Sequence, residues 1–182
     1  MKTVKVYIPN NGYVRPELLQ MFPDATCPDF HPIYLNRRSI VQDFLKTDGE
    51  YLLMVDHDVV PVHNVLDADI HYDITGFPTP IHTNGMKRWN IYKKPFKDME
   101  YGSLNPMEKG HEEVDVVGTG CILIHRKVLE KIDDFTPVLD GQDIKYGTDF
   151  GFCQRAKAAG FTIGVEWNYP CHHYKTVDLL HI

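Results

Sequence analysis

The sequence predicts an α/β protein folded as one domain over residues 1–182, and three observations carry that prediction. The chain has the length of a single domain and can bury a normal core without metal or disulfide staples. Short apolar runs of β-forming residues alternate along it with segments of helical pattern. One run, Tyr51-Leu52-Leu53-Met54-Val55, is apolar at every position, as in a strand covered on both faces. It stops at Asp56-His57-Asp58, two carboxylates separated by one residue. In an extended backbone alternate side chains point the same way, so Asp56 and Asp58 can approach one cation together. In open α/β sheets ligands collect beyond the carboxyl ends of strands, which is where this pair falls. Their oxygens are hard ligands suited to Mg²⁺ or Mn²⁺, ions that commonly bridge carboxylates to substrate phosphates. The same residues also suit a polar turn that caps a following helix.

The hydrophobic share of 43% and charged share of 24% are ordinary for a soluble globular protein. No apolar run approaches the ~20 residues of a membrane span. The opening MKTVKVYIPNNG turns polar too soon for a secretory signal, so a cytoplasmic protein without a transmembrane segment is expected. A formal charge of -6 argues against nonspecific nucleic-acid binding. An anionic, phosphate-bearing substrate would need local help from a metal ion or a few basic residues. Cys27, Cys121, Cys153 and Cys171 are scattered and form no C-x-x-C pair, which fits reduced thiols.

In chain order, Val4 to Ile8 is a short strand ending at the turn cluster Pro9-Asn10-Asn11-Gly12, a candidate ligand loop. Pro16 to Phe22 starts with Pro and Glu, as a first helical turn does, and stops at Pro23. Phe30 to Leu35 suggests a short second strand. Arg37 to Lys46 is a helix with Ile40, Val41, Phe44 and Leu45 on one stripe, Asn36 as its cap and Asp48-Gly49 as its end. Arg37 and Arg38 then occupy its first turn, where cations oppose the helix dipole. A surface pair of arginines is the readier explanation, although a basic residue there raises a functional question.

After the D-H-D, Asp73 to Phe77 is strand-like. From Pro78 to Glu113 periodicity is lost over more than 30 residues, the mark of a functional or mobile loop region, with a hairpin suggested around Trp89 to Tyr92. Basic and aromatic residues interleave there. Val114 to Val117 and Cys121 to Ile124 are strands split by Gly118-Thr119-Gly120, whose glycines suggest close approach to a ligand or neighbouring chain. His125 to Ile132 is a short helix, and Asp133 to Tyr146 an acidic loop. Thr148 to Ala159 is a helix, with Thr148 as cap, Asp149 in its first turn and Gly160 at its end. Phe161 to Val165 is a last strand. Tyr169 to Lys175 holds Cys171, His172 and His173, spaced poorly for zinc. One histidine completing a mixed site with the Asp pair fits better.

The order of these features resembles the GT-A glycosyltransferases, especially compact members similar to family 2 of the sugar-nucleotide-dependent enzymes. The resemblance spans nearly the whole chain: "VYIPNNGYVRPELL", "NRRSIVQDFLKTDGEYLLMVDHDVVP", "VVGTGCILIHRKVLEKI", and "GTDFGFCQRAKAAGFTIG" followed by "HHYKTVDL". It implies a Rossmann-like, three-layer α/β/α fold with a mostly parallel central sheet. It also implies transfer of a sugar, by inversion, from a nucleotide-sugar donor such as a UDP- or GDP-sugar to a carbohydrate or other hydroxyl acceptor. Pro9 and Asn11 would border the nucleotide base, and Arg37 and His57 would lie at the donor. Asp56, Asp58 and His173 would hold Mn²⁺ or Mg²⁺, and Asp149 would be the base. The sequence departs from the family pattern at Arg38, where an Asn is usual, and at Thr148, where a Glu usually precedes the base. Two other readings are a sugar-phosphate nucleotidyltransferase, whose Gly-rich signature loop is missing at Pro9 to Gly12, and a non-catalytic nucleotide-sugar or carbohydrate-binding module.

Overall fold

The computed structural model describes residues 2–29, 33–83, 86–93, 101–104 and 110–174. The chain begins with strand β1 (Val4–Tyr7) and helix α1 (Pro16–Met21), which has Pro16 in its first turn. Helix α2 spans Ile33–Phe44, so the strand expected over Phe30 to Leu35 is corrected to helix from Ile33 onward. Phe30 to Pro32 lie outside the described residues. Asn36, expected as the cap, and Arg37, expected in the first turn, sit inside α2 and are buried with Ile40, Val41 and Phe44. Ile33-Tyr34-Leu35 is a short apolar run that periodicity cannot tell from a strand, and Asn36 and Arg37 interrupt the apolar stripe that follows it.

Strand β2 (Tyr51–Val55) follows, then β3 (Val59–Pro61), and a 3-10 turn over Val65–Asp67 capped by Asn64. Next come β4 (Ile74–Gly76), β5 (Pro80–Thr83), β6 (Met86–Trp89), β7 (Ile91–Lys93), β8 (Gly102–Ser103) and β9 (His111–Glu113). Among its described residues, the region expected to lack elements therefore holds five short strands. Its hairpin pairs β5 with β6, with Trp89 opposite Pro80, rather than turning between Trp89 and Tyr92. Strands of two to four residues are too short to print a period.

Strands β10 (Val116–Val117) and β11 (Cys121–His125) lead to α3 (Arg126–Leu129). The expected acidic loop is instead the hairpin β12 (Val138–Asp140) and β13 (Asp143–Tyr146). Helix α4 (Thr148–Ala158), β14 (Ile163–Glu166) and β15 (Cys171–His173) complete the described chain. Gly147 rather than Thr148 is the cap of α4.

The central sheet has six strands in the order β1-β2-β11-β4-β14-β9. Only β1/β2 and β4/β14 pair in parallel; β2/β11, β11/β4 and β14/β9 are antiparallel. The sheet is thus mixed, not mostly parallel, because β11 enters between β2 and β4 in the reverse direction. Alternation along β2 divides the core between two faces. Leu52 and Met54 pack with Ile40 and Phe44 of α2, Val128 of α3 and Phe152 of α4. Leu53 and Val55 pack with Leu18 and Phe22, Val59 and Cys171. All four cysteines are free thiols. Among the described residues no helix is long and apolar enough to cross a membrane.

Candidate functional site

Strand β2 ends at Val55, and Asp56 to Val59 form a tight turn in which Val59 N donates to Asp56 O at 2.9 Å. The extended geometry expected of D-x-D therefore gives way to a turn, and each carboxylate takes its own partner. Asp56 Oδ2 lies 3.8 Å from Arg37 Nη2, and Asp58 Oδ2 lies 3.4 Å from His173 Nε2. Asp56 Oδ1 is buried and accepts no hydrogen bond from the described residues. An ionised oxygen in that position lacks the compensation that burial ordinarily demands.

Arg37 is the hinge of the arrangement. The residue is 7% exposed, and its guanidinium reaches Asp56 on one side and donates from Nη1 to Thr148 Oγ1 at 2.9 Å on the other. Next to Thr148 stands Asp149, whose Oδ1 accepts from the Phe150 N–H at 2.9 Å. One buried cation thus ties the end of β2 to the start of α4. Burial pushes the Asp149 carboxyl above its ordinary pKa, against the pull of the Phe150 amide and the Arg37 charge. Burial also raises Asp56, opposed by Arg37 and reinforced by Asp58. Half-burial pushes Asp58 upward, but the hydrogen bond and charge of His173, with His57, hold it below the usual value.

His173 reaches this turn because β15 pairs with β3 just beyond it, His173 opposite Val59. Its Nδ1 is 2.8 Å from Pro80 O, and a carbonyl only accepts, so Nδ1 carries the proton. Nε2 then faces Asp58 either as a donor in the imidazolium or as a lone pair. A cation between Nε2 and the carboxylate satisfies the second state, which is the usual arrangement of a ligating histidine held by a carbonyl. Among the described residues no three His, Cys, Asp or Glu side chains close a ready cage. The donor set fits an ion held by one or two carboxylates and completed by phosphate oxygens, the common mode for Mg²⁺.

The turn after β1 divides differently from expectation. Pro9 is buried, Asn11 is exposed, and it is Asn10 that shapes the loop. Asn10 Nδ2 donates to Cys27 O and Pro28 O, and its Oδ1 accepts from Gly12 N, where φ is +99°. His57 contributes its carbonyl, which accepts from Arg15 N at 3.3 Å. Arg15 was not legible as a site neighbour: its guanidinium lies 3.7 Å from the Tyr174 ring centroid, and Tyr174 N donates to Asp58 O. A cation preceding Pro16 was the only signal of it. Gly118 and Gly120 turn out to make room for their own chain. A Cβ on Gly118 would lie 2.5 Å from Asn90 Nδ2, and the nearest side chain to Gly120 is Thr79. Grooves of about 610 and 520 Å³ lie elsewhere, one along β1 and one beside His63, His71 and His111; no site residue named above lines either.

No protein-family model matches the chain, and no curated protein matches it. Among solved structures it is similar to A197 from STIV, with a TM-score of 0.65 at 20% identity over 97% of this chain and 87% of that one. That likeness concerns the fold alone. An inositol-1-phosphate CTP transferase from T. maritima aligns over 97% of this chain and 73% of its own, at 11% identity and a TM-score of 0.47.

Proposed function

We propose that the protein is a glycosyltransferase of GT-A type, moving a sugar from a nucleotide-sugar donor to an acceptor hydroxyl. The observation that carries this reading is the Arg37 bridge, which ties the partly buried Asp56 of the acidic turn to Thr148, next to a second carboxylate, Asp149. A donor diphosphate is what such a turn suits. Asp58 and His173, with Asp56 on the same turn, would share Mn²⁺ or Mg²⁺ with phosphate oxygens of the donor, and the ion would supply Lewis-acid stabilisation of the departing diphosphate. Arg37 would orient the donor and oppose the effect of burial on Asp56. Asp149 would take the proton of the acceptor hydroxyl as its oxygen bonds to the anomeric carbon and the bond to the diphosphate breaks. Attack from the face opposite the leaving group inverts that carbon. Pro9 is too buried to meet a base directly, so Asn11, exposed on the same turn, is the better candidate.

The test is calorimetry with UDP, GDP and dTDP, with and without Mn²⁺, on wild type and Asp58→Ala. Metal-dependent binding of one nucleotide is expected, weakened in Asp58→Ala by at least the 10- to 100-fold that lost supporting contacts cost metal sites. A folded wild type that binds none of the three with Mn²⁺ present would overturn the reading.

A further inference from the structure

Four aromatic rings from separate segments meet beside Asp149. Phe150, the next residue on α4, stacks on Tyr146 of β13 with centroids 5.1 Å apart and planes at 13°. Tyr101, just before β8, meets Phe150 edge-on at 5.2 Å and Tyr146 at 5.6 Å. Tyr92 of β7 lies 4.8 Å from Phe150. Gln154, one helical turn along α4, donates to Tyr101 Oη at 3.1 Å and fixes that ring. All four rings are half-buried, so each keeps part of its surface for contact. Burial raises the Tyr92 phenol and the Asp149 charge raises it further, which agrees with the cluster lying against that carboxylate.

The geometry points to this aromatic wall as the acceptor site, taking the apolar ring face of a neutral saccharide. The inference rests on the glycosyltransferase reading for the word acceptor, but not for the binding itself. A sugar ring offers C–H groups on one face and hydroxyls at its rim. Tyrosines match that pattern with an apolar body and a polar tip, in the manner of binding sites that pair aromatic walls with a few placed polar groups. Charges of both signs approach the rings, the Asp149 carboxyl beside Phe150 and Lys145 Nζ 5.7 Å from the Tyr146 ring centroid, so the wall calls for no net charge on the sugar. Tyr92, Tyr101 and Phe150 each pack in part against the main core, so it is their remaining surface, together with Tyr146, that is offered to a ligand. A hydroxyl of a stacked sugar would lie within reach of Asp149.

The experiment is saturation-transfer NMR with a panel of neutral methyl glycosides and disaccharides, without nucleotide, on wild type, Tyr146→Leu, Tyr146→Phe and Tyr101→Leu. Circular dichroism checks each fold, and nucleotide calorimetry runs in parallel. Wild type is expected to bind at least one saccharide. Tyr146→Leu should weaken that binding roughly tenfold, the scale of an aromatic pairing, and Tyr146→Phe by much less. Nucleotide affinity should be the same in all four. Tyr101→Leu serves where Tyr146→Leu fails to fold. No saccharide binding in wild type overturns the inference, as does equal loss of nucleotide and saccharide binding in the leucine variants, which would make the rings structural. Selective loss of saccharide in a protein that binds no nucleotide would keep the wall and sink the transferase reading instead.

Discussion

Asp149 sits where burial and a cation pull in opposite directions, and burial prevails. As the proposed base, Asp149 would have to be ionised to accept a proton, so its raised pKa would move the acid limb of the proposed transfer upward in pH. Activity is therefore expected to fall, as pH drops, earlier than an ordinary aspartate would dictate. Asp149→Asn should reduce turnover by about 10²- to 10⁴-fold, the span of general-base contributions, with nucleotide binding retained. A pH–rate profile of wild type checks the first point; a limb at the ordinary aspartate position would assign the base elsewhere. At this scale the sequence was informative wherever a residue's partner is close along the chain. Asp149 in a first helical turn and the acidic pair after β2 could be seen directly. The bond from Arg37 to Thr148, 111 positions apart, could not. Nor could Asn10, whose carbonyl partners lie 17 and 18 residues away.

Among the elements, α2 decides whether Arg37 is placed, and Arg126 holds its carboxyl end. The Arg126 guanidinium donates to Gly49 O at 2.6 Å and Thr47 O at 2.7 Å, with longer bonds to Leu45 O and Phe44 O. It also lies 4.8 Å from the Phe44 ring centroid. Carbonyls at a helix end have no partner within the helix, and here one planar donor from α3 serves several of them. Arg126→Ala should cost about 2–3 kcal/mol, as for hydrogen bonds to a charged group, seen as a lower urea midpoint with unchanged slope. Arg126→Lys should recover only part, because an ammonium cannot span the same carbonyls. Helices with an apolar stripe were legible for this reason: Ile40, Val41 and Phe44 recur at helical spacing. The hairpin β12–β13 was not, though Asp140-Gly141 carried its turn signal and Gly141 adopts a φ of +63°. Its strands leave the cross-strand pair Leu139 and Ile144 58% and 68% exposed, so no buried alternation marks them.

For the molecule as a whole, the site exists only when distant segments are brought together. Arg37 comes from α2, Asp56 and Asp58 from the turn after β2, Asp149 from α4 and His173 from β15. The α/β class could be inferred from strand and helix order, but the reversed β11 could not, because pairing partners are settled by the completed sheet. A site so assembled is absent from the unfolded chain, and a ligand that binds it must stabilise the fold by mass action. The nucleotide selected by calorimetry, at one hundred times its Kd with Mn²⁺, should add about 2.7 kcal/mol. For a chain of this length that corresponds to a rise in Tm of roughly 5–10 °C. Nucleotide without metal should give less, and Asp58→Ala should lose most of the increment. An equal rise in wild type and Asp58→Ala would place the ligand away from the acidic turn, with the groove along β1 as the first place to look.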